Sequence, residues 1–154
     1  MEPCQLLGGE LLVPLGIEVL GIDDLGPVEI IEDADSFVGN AIKKANTILE
    51  LTGEVVIADD SGIEVDALNG EPGVYSKRFS PEGTAAANNR LLLTRLGASL
   101  ERSARFRCVL AFVDGAVERT VEGRCEGTIG LSQSGEGGFG YDPLFYPSDR
   151  LGLS

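Results

Sequence analysis

The sequence predicts a mixed α/β domain in which helices flank one sheet, and three observations support this class. Apolar residues recur at helical spacing from Ser36 to about Leu51. Residues 54–59 contain the short apolar run Val55–Ala58, typical of a strand buried on both faces. Residues 104–122 alternate apolar and polar side chains around Asp114-Gly115, which predicts a β-hairpin. A chain of 154 residues suits a single domain over residues 1–154.

Capping residues define the ends of the predicted elements. Ser36 is the expected N-cap of the first helix, and Gly53 stands where a left-handed residue ends a helix. The second helix is predicted to begin at Ser80-Pro81-Glu82 and to end before Gly97. Residues 17–22 predict a further short strand.

Three cysteines and the absence of histidine limit the possible chemistry. In the simplest hairpin register Cys108 faces Val121 rather than Cys125, so no cross-strand disulfide is expected. With Cys4 they form an odd set without metal-ligand spacing, and we expect reduced thiols. A chain without histidine has no Ser-His or Cys-His nucleophile pair and no histidine-bound zinc.

The charge of the chain restricts its partners. The formal net charge is −13, and residues 1–42 hold nine acidic side chains and no basic one. Because such a surface repels nucleic acid backbones, no polynucleotide partner is expected, and a small polyanion would need a divalent cation to bridge it to carboxylates. No apolar run approaches the roughly 20 residues of a membrane helix, and no signal peptide pattern is present. We therefore expect a cytoplasmic protein without a membrane partner.

Two segments carry residues suited to phosphate and metal chemistry. Asp59-Asp60-Ser61 directly follows the apolar run, and it is either a turn that caps backbone groups or a pair of carboxylates at a cation. Lys44 interrupts the apolar stripe of the first helix, so it either extends outward to solvent or faces an anion such as phosphate.

Two further segments have both a structural and a functional interpretation. Gly137–Pro143 combines glycines with two aromatic residues, and it is either a turn packed on the core or a pocket for a flat base. An acidic cluster precedes the first helix and either complements the helix dipole or lends one carboxylate to a metal site. Its members are Glu29, Glu32, Asp33 and Asp35.

Taken in order, these segments resemble one family, the pyrophosphatases that hydrolyse non-canonical purine nucleoside triphosphates. The matching motifs are Ser36–Ala41 with Lys44-Ala45, Ala58–Leu68, Gly70–Phe79 and Gly137–Pro143. The similarity extends over about residues 14–147. The resemblance implies that ITP, dITP and XTP are cleaved to the monophosphate and pyrophosphate.

The resemblance also implies a role for individual residues. Asp60 matches the proton acceptor, and Asp60 and Glu32 match the acidic residues at a magnesium ion. Substrate contacts are implied for Lys44, Ser61, Phe139, Gly140, Tyr141 and Asp142. The family fold is an elongated, strongly twisted mixed α/β sheet in two lobes around a central nucleotide cleft, with Mg²⁺ as cofactor and a homodimer as the usual assembly.

Two alternatives and two departures accompany the resemblance. A Maf-like pyrophosphatase of modified pyrimidine nucleotides is disfavoured by the Asp60-Ser61 and Phe139–Asp142 motifs, and a non-catalytic nucleotide-binding or dimerising homologue is the other alternative. Family members open with a phosphate loop of the form Thr/Ser-x-Asn-x-x-Lys and end in a helix with a lysine and a Ser-His-Arg segment. Neither segment occurs in this sequence, and because the other motifs show no decay we expect a chain truncated at both ends.

Overall fold

The structure, a computed structural model, describes residues 12–135 and 138–148. The chain divides into two compact units, Met1–Glu32 and Asp33–Ser154. The single domain expected over residues 1–154 stays a prediction. Cys4 and Gly137, both named above, lie outside the described residues.

The first unit contains two short 3-10 helices, Val13–Leu15 and Ile22–Leu25. The strand predicted at residues 17–22 is wrong, because residues 17–21 have no regular secondary structure. The Asp24 carboxylate accepts a hydrogen bond of 2.7 Å from the Gly21 backbone N–H. This local bond favours a turn into the second 3-10 helix over the extended backbone of a strand.

The first helix of the second unit, α1, spans Phe37–Thr52 and confirms the predicted caps. The Ser36 hydroxyl accepts a hydrogen bond from the Gly39 N–H at 3.0 Å. At the other end, Gly53 has φ = 69° and its N–H donates to the Leu49 carbonyl. That left-handed conformation suits glycine, which has no Cβ to clash.

The sheet has four described strands in the order β1-β2-β3-β4, and all neighbours are antiparallel. The strands are β1 (Val56–Val65), β2 (Ser103–Val113), β3 (Glu118–Ile129) and β4 (Phe145–Pro147). Together with the flanking helices they confirm the α/β class. β1 continues beyond the predicted strand at residues 54–59, because β2 pairs with it along its whole length.

The β2–β3 hairpin is confirmed, but its predicted register is wrong. Cys108 lies opposite Gly123 rather than Val121. Val113 pairs with Glu118, so four residues lie in the connection instead of the two assumed for Asp114-Gly115. The Asp114 carboxylate accepts hydrogen bonds from the Ala116 and Val117 N–H groups, which stabilises this wider turn. Neither Cys108 nor Cys125 forms a disulfide within the described chain.

The second helix, α2, spans Ala85–Leu96, and its predicted start at Ser80 is wrong. Thr84 is the N-cap, with its hydroxyl 3.2 Å from the Ala87 N–H. The Ser80 hydroxyl instead donates to the side chain of Asn88. The predicted end is confirmed, since Gly97 donates to the Leu93 carbonyl at 2.9 Å.

Two hydrophobic cores lie on opposite faces of β1. The core beneath α1 contains Phe37, Ala41, Ala45, Val56, Val109, Ala111 and Val113. The core beneath α2 contains Ile63, Val65, Leu92, Leu96, Ala104, Ile129, Tyr141 and Leu144. Because side chains alternate along a strand, Val56 and Ile63 point in opposite directions. β1 is therefore the shared wall of both cores.

None of the helices that the structure describes has both the length and the apolar character needed to cross a membrane.

Candidate active site

Asp60 lies in the middle of β1, directly opposite Val109 of β2. The prediction that it follows the end of a strand is wrong, because pairing with β2 continues to Val65. Asp60 shares its face of the sheet with Val56 and packs beneath α1, where the residue is only 9% exposed. A carboxylate with so little access to water requires a compensating positive charge.

That charge comes from Lys44 of α1. Its Nζ lies 3.4 Å from Asp60 Oδ1 and donates a hydrogen bond of 3.0 Å to the Asp59 carbonyl. The side chains of Lys44 and Asp60 are 20% and 11% exposed. Lys44 points inward because it is seven residues after Phe37, which is two turns along the buried stripe. The helix thus directs an ammonium group at the one acidic residue buried in β1.

Ser61 lies on the other face of β1, because neighbouring side chains of a strand point in opposite directions. Its partner across the ladder is Cys108, and the residue is exposed. This face is the one whose core contains Tyr141. The structure therefore divides the two adjacent candidates, with Asp60 on the α1 side and Ser61 on the α2 side.

The turn at residues 138–142 carries the predicted base-contacting residues. Gly138 and Gly140 have φ values of 108° and 57°, conformations that residues with a Cβ rarely adopt. The Asp142 carboxylate accepts a hydrogen bond of 2.8 Å from the Phe139 N–H, and the Asp142 N–H donates to the Phe139 carbonyl. Phe139 remains 56% exposed. The turn thus presents one open aromatic ring next to a carboxylate.

Tyr141 has a different surrounding from the rest of this turn. It is 6% exposed within the core beneath α2, and its hydroxyl donates a hydrogen bond of 2.6 Å to the Ser76 carbonyl. Burial raises the pKa of the Tyr141 phenol well above its ordinary value, because the charged form loses its hydration. Tyr141 therefore anchors the turn, and Phe139 is its exposed aromatic residue.

The chemistry of Asp60 suits Mg²⁺, although the described residues contain no complete cluster of metal ligands. No group of three or more acidic, cysteine or histidine side chains suited to a metal occurs within residues 12–135 and 138–148. Asp60 itself fits, since carboxylate oxygens are preferred ligands of Mg²⁺ and this ion binds proteins through as few as one or two of them. Glu32 is the last residue of the first unit, so its partnership with Asp60 stays a prediction.

Comparison with known proteins gives the family. The sequence profile of the Ham1 family matches residues 6–153. The chain belongs to the Ham1 family.

The Ham1-family relatives are similar over most of this chain. A dITP/XTP pyrophosphatase of Desulforamulus reducens is 52% identical over 143 residues, which cover 89% of this chain and 71% of the relative. The dITP/XTP pyrophosphatase of Desulfotalea psychrophila is 49% identical over 140 residues, with 89% and 63% covered. The solved structure of the Staphylococcus aureus Ham1 protein has a TM-score of 0.86 at 36% identity, covering 94% of this chain and 77% of that one.

Sequence reasoning missed three polar residues that connect the parts of this Ham1-family site. They are Ser76, Asn88 and Asn89, and each is at most 7% exposed. The Ser76 hydroxyl accepts a hydrogen bond of 2.9 Å from the Ile63 N–H of β1. The Ser76 carbonyl accepts a hydrogen bond from the Tyr141 hydroxyl. One signal was available, since Asn88-Asn89 places two poor helix formers side by side in a helix.

Proposed function

We propose that this chain hydrolyses non-canonical purine nucleoside triphosphates, namely ITP, dITP and XTP, to the monophosphate and pyrophosphate with Mg²⁺. The observation that carries the proposal is the Lys44–Asp60 pair, an ammonium and a carboxylate 3.4 Å apart on side chains of low exposure. Poorly hydrated charge pairs of this kind are common at functional sites. The names of the Desulforamulus and Desulfotalea relatives support the same reaction.

Charge explains why both a lysine and a metal are needed. The chain carries a formal charge of −13, and a nucleoside triphosphate is itself an anion. Lys44 supplies positive charge beside the carboxylate that would otherwise repel a phosphate. Bound Mg²⁺ would neutralise phosphate oxygens and make a water molecule easier to deprotonate. We assign the metal to Asp60, and the contribution of Glu32 that the family resemblance implies stays a prediction.

Asp60 is the proposed general base. An aspartate has a reference pKa of about 3.9, so it removes a proton from water only when that water is already polarised. The water oxygen forms a bond to the α-phosphorus, and the bond from that phosphorus to the bridging oxygen breaks. Pyrophosphate leaves with the electron pair of that bond, and the water proton passes to Asp60.

Base selection is assigned to the turn at residues 138–142, with Ser61 as a further substrate contact. Phe139 offers a ring for stacking, and Gly140 allows the backbone to approach a flat base. Because a 6-oxo and a 6-amino purine present opposite hydrogen-bonding groups, a polar pocket leaves a group without a partner when the wrong base enters. We also propose that the chain works as a homodimer in the cytoplasm, as the family resemblance implies.

Pyrophosphate release tests this function. We expect release from dITP with Mg²⁺, much slower release from dATP, and a loss of about 10²–10⁴ in kcat for Asp60→Asn. Asp114→Asn is the matched control, because it makes the same change of charge in the distant β2–β3 turn. Binding of dITP without any release would support the non-catalytic alternative, and equal rates for the two variants would contradict the role of Asp60.

A further inference from the structure

Two consecutive asparagines of α2, Asn88 and Asn89, are almost completely buried. They are 4% and 3% exposed, although the first turns of the helix also have positions on the surface, where an amide keeps its hydration. Asparagine is a poor helix former, and burial of its amide is unfavourable unless hydrogen bonds replace those with water. The burial of both amides therefore calls for hydrogen-bond partners within the protein.

Asn88 fastens the segment before α2 to the helix. Its Oδ1 accepts from both the N–H and the hydroxyl of Ser80, each at 2.7 Å. Its Nδ2 donates to the carbonyls of Ser76 and Lys77 at 3.3 and 3.2 Å. All hydrogen-bonding positions of this amide are used, which is sufficient reason for its burial.

Asn89 makes a different connection. Its Nδ2 donates a hydrogen bond of 3.1 Å to the Gly140 carbonyl, 51 residues further along the chain. Among the residues that the structure describes, its buried Oδ1 has no hydrogen-bond partner. Reversal of the amide would direct Oδ1 at the Gly140 carbonyl oxygen, so the orientation is fixed by repulsion of the alternative. A fold that needed only stability would favour an apolar side chain here, because a buried acceptor without a partner is unfavourable.

We propose that Asn89 is a positioning residue that holds the turn at residues 138–142 in its base-binding conformation. The turn is anchored at two adjacent residues, since Gly140 is bound by Asn89 and Tyr141 is bound by the Ser76 carbonyl. Asn88 also donates to the Ser76 carbonyl, so both anchors are connected to neighbouring residues in one turn of α2. Phe139, before the first anchor, and Asp142, after the second, thereby keep a fixed relation to each other. This role in recognition of the purine rests on the proposed function.

Asn89→Leu is the informative variant, because leucine has the same branched arrangement of four side-chain heavy atoms and removes both the donor and the buried acceptor. Asn46→Leu in α1 is the control, with the same chemical change and a hydrogen bond to Glu118 instead. We expect the melting temperature of Asn89→Leu to stay within about 3 °C of the wild type. Hydrogen exchange of the Phe139, Asp142 and Leu144 amides, which all donate to residues of this turn, should become at least about tenfold faster.

The kinetic consequence is a split between binding and turnover. We expect KM for dITP to rise about fivefold to tenfold in Asn89→Leu, while kcat stays within about threefold and the preference for dITP over dATP falls. Asn46→Leu should change none of these quantities. We do not expect Asn89→Gln to retain the preference for dITP, because its longer side chain would displace Gly140.

Three outcomes would overturn the proposal. The first is unchanged exchange in the turn of Asn89→Leu, and the second is the same exchange pattern in Asn46→Leu. The third is a collapse of the melting temperature with loss of protection throughout α2, because Asn89 would then serve only the scaffold. If the wild type neither binds nor cleaves dITP, the proposed function fails, and the exchange measurement still decides whether Asn89 positions the turn.

Discussion

At the scale of single residues, Lys44 and Asp60 are the centre of the candidate active site. Neither side chain is fully exposed, so the pair loses hydration that its mutual attraction must offset. Replacement of a buried ion pair by well-packed apolar residues is often neutral or stabilising. Such a pair is better explained by what it binds than by the stability it provides.

Replacement of Lys44 should affect binding more than folding. We expect Lys44→Ala to weaken dITP binding at least about tenfold, because the positive charge facing the phosphates is lost, and also to lower the melting temperature by several degrees, because the buried Asp60 carboxylate loses its compensating charge. Lys43→Ala is a close control, since it removes the same charge from the neighbouring exposed residue, which pairs with Asp33. A large loss of melting temperature with unchanged affinity would make Lys44 a structural residue. Calorimetric titration with dITP and thermal unfolding give both quantities.

At this scale the sequence indicated Lys44 more clearly than Asp60. Helical periodicity alone placed Lys44 on the buried face, since a helix face is a local property. Periodicity could not extend β1 past Asp59-Asp60-Ser61, because that extension depends on pairing with β2, about 50 residues later in the chain. Asn89 was overlooked for the same reason, since its partner Gly140 is 51 residues away. The partners of Asn88 lie 8–12 residues earlier, which is also beyond the reach of helical periodicity.

At the scale of elements, Gly62 fixes how closely β1 approaches the 3-10 helix at Gly73–Arg78. A Cβ on Gly62 would lie 2.5 Å from the Ser76 hydroxyl, 2.6 Å from the Gly73 carbonyl and 2.9 Å from the Phe37 ring. Two of these atoms belong to groups that cannot move without shifting backbone or core. The glycine therefore allows Ser76 to reach the Ile63 N–H.

Gly62→Ala should consequently be destabilising. We expect a loss of about 1–3 kcal/mol in the free energy of unfolding, measured by urea titration, because the methyl group must displace backbone or core atoms. Gly123→Ala in β3 is the control, since no heavy atom lies within 4 Å of its added Cβ. Equal stability of the two variants would show that the β1 contact with Ser76 is not tightly packed.

Arg105 joins three elements through carboxylates, and this makes part of the stability dependent on pH. It forms a two-pronged pair with Asp66 at 2.9 and 3.1 Å and also bonds Glu126 of β3. The hydrogen bonds from Arg105 lower the pKa of Asp66 below its ordinary value. A lowered pKa in the folded state means that stabilisation is complete above about pH 4 and is lost as the pH falls further.

Arg105→Gln should therefore lower the melting temperature by about 2–4 °C at pH 7, and by less at pH 3. Arg119→Gln, which removes an exposed arginine of β3, should have little effect at either pH. If the melting temperatures of the wild type and Arg105→Gln differ by the same amount at pH 7 and pH 3, the stabilisation by Arg105 does not depend on the protonation of Asp66. Thermal unfolding followed by circular dichroism across pH 3–7 measures it.

Element ends show where local sequence was sufficient. Ser36 and Gly53 were predicted correctly because each acts through hydrogen bonds within four residues. The Ser80 hydroxyl has the same capping chemistry, but it donates its hydrogen bond to the Asn88 side chain. Thr84 therefore caps the helix instead. The local pattern could not distinguish two competing caps four residues apart.

At the scale of the whole molecule, net charge and family membership point to the same kind of substrate. A formal charge of −13 disfavours polyanions unless a cation accompanies them, and a nucleotide bound with Mg²⁺ meets that condition. The α/β class was predictable because periodicity and turn residues carry it. The placement of Asp60 and Ser61 on opposite faces of β1, one on the α1 side and one on the α2 side, was not predictable, because it depends on which helix covers each face.

The most direct test is hydrolysis of dITP by the full chain in ¹⁸O-labelled water with Mg²⁺, followed by phosphorus NMR of the products. Attack at the α-phosphorus with Asp60 as base should give dIMP that carries one ¹⁸O and pyrophosphate that carries none, and Asp60→Asn should form almost no product. Release of orthophosphate with dIDP, or label in the pyrophosphate, would contradict the proposed reaction.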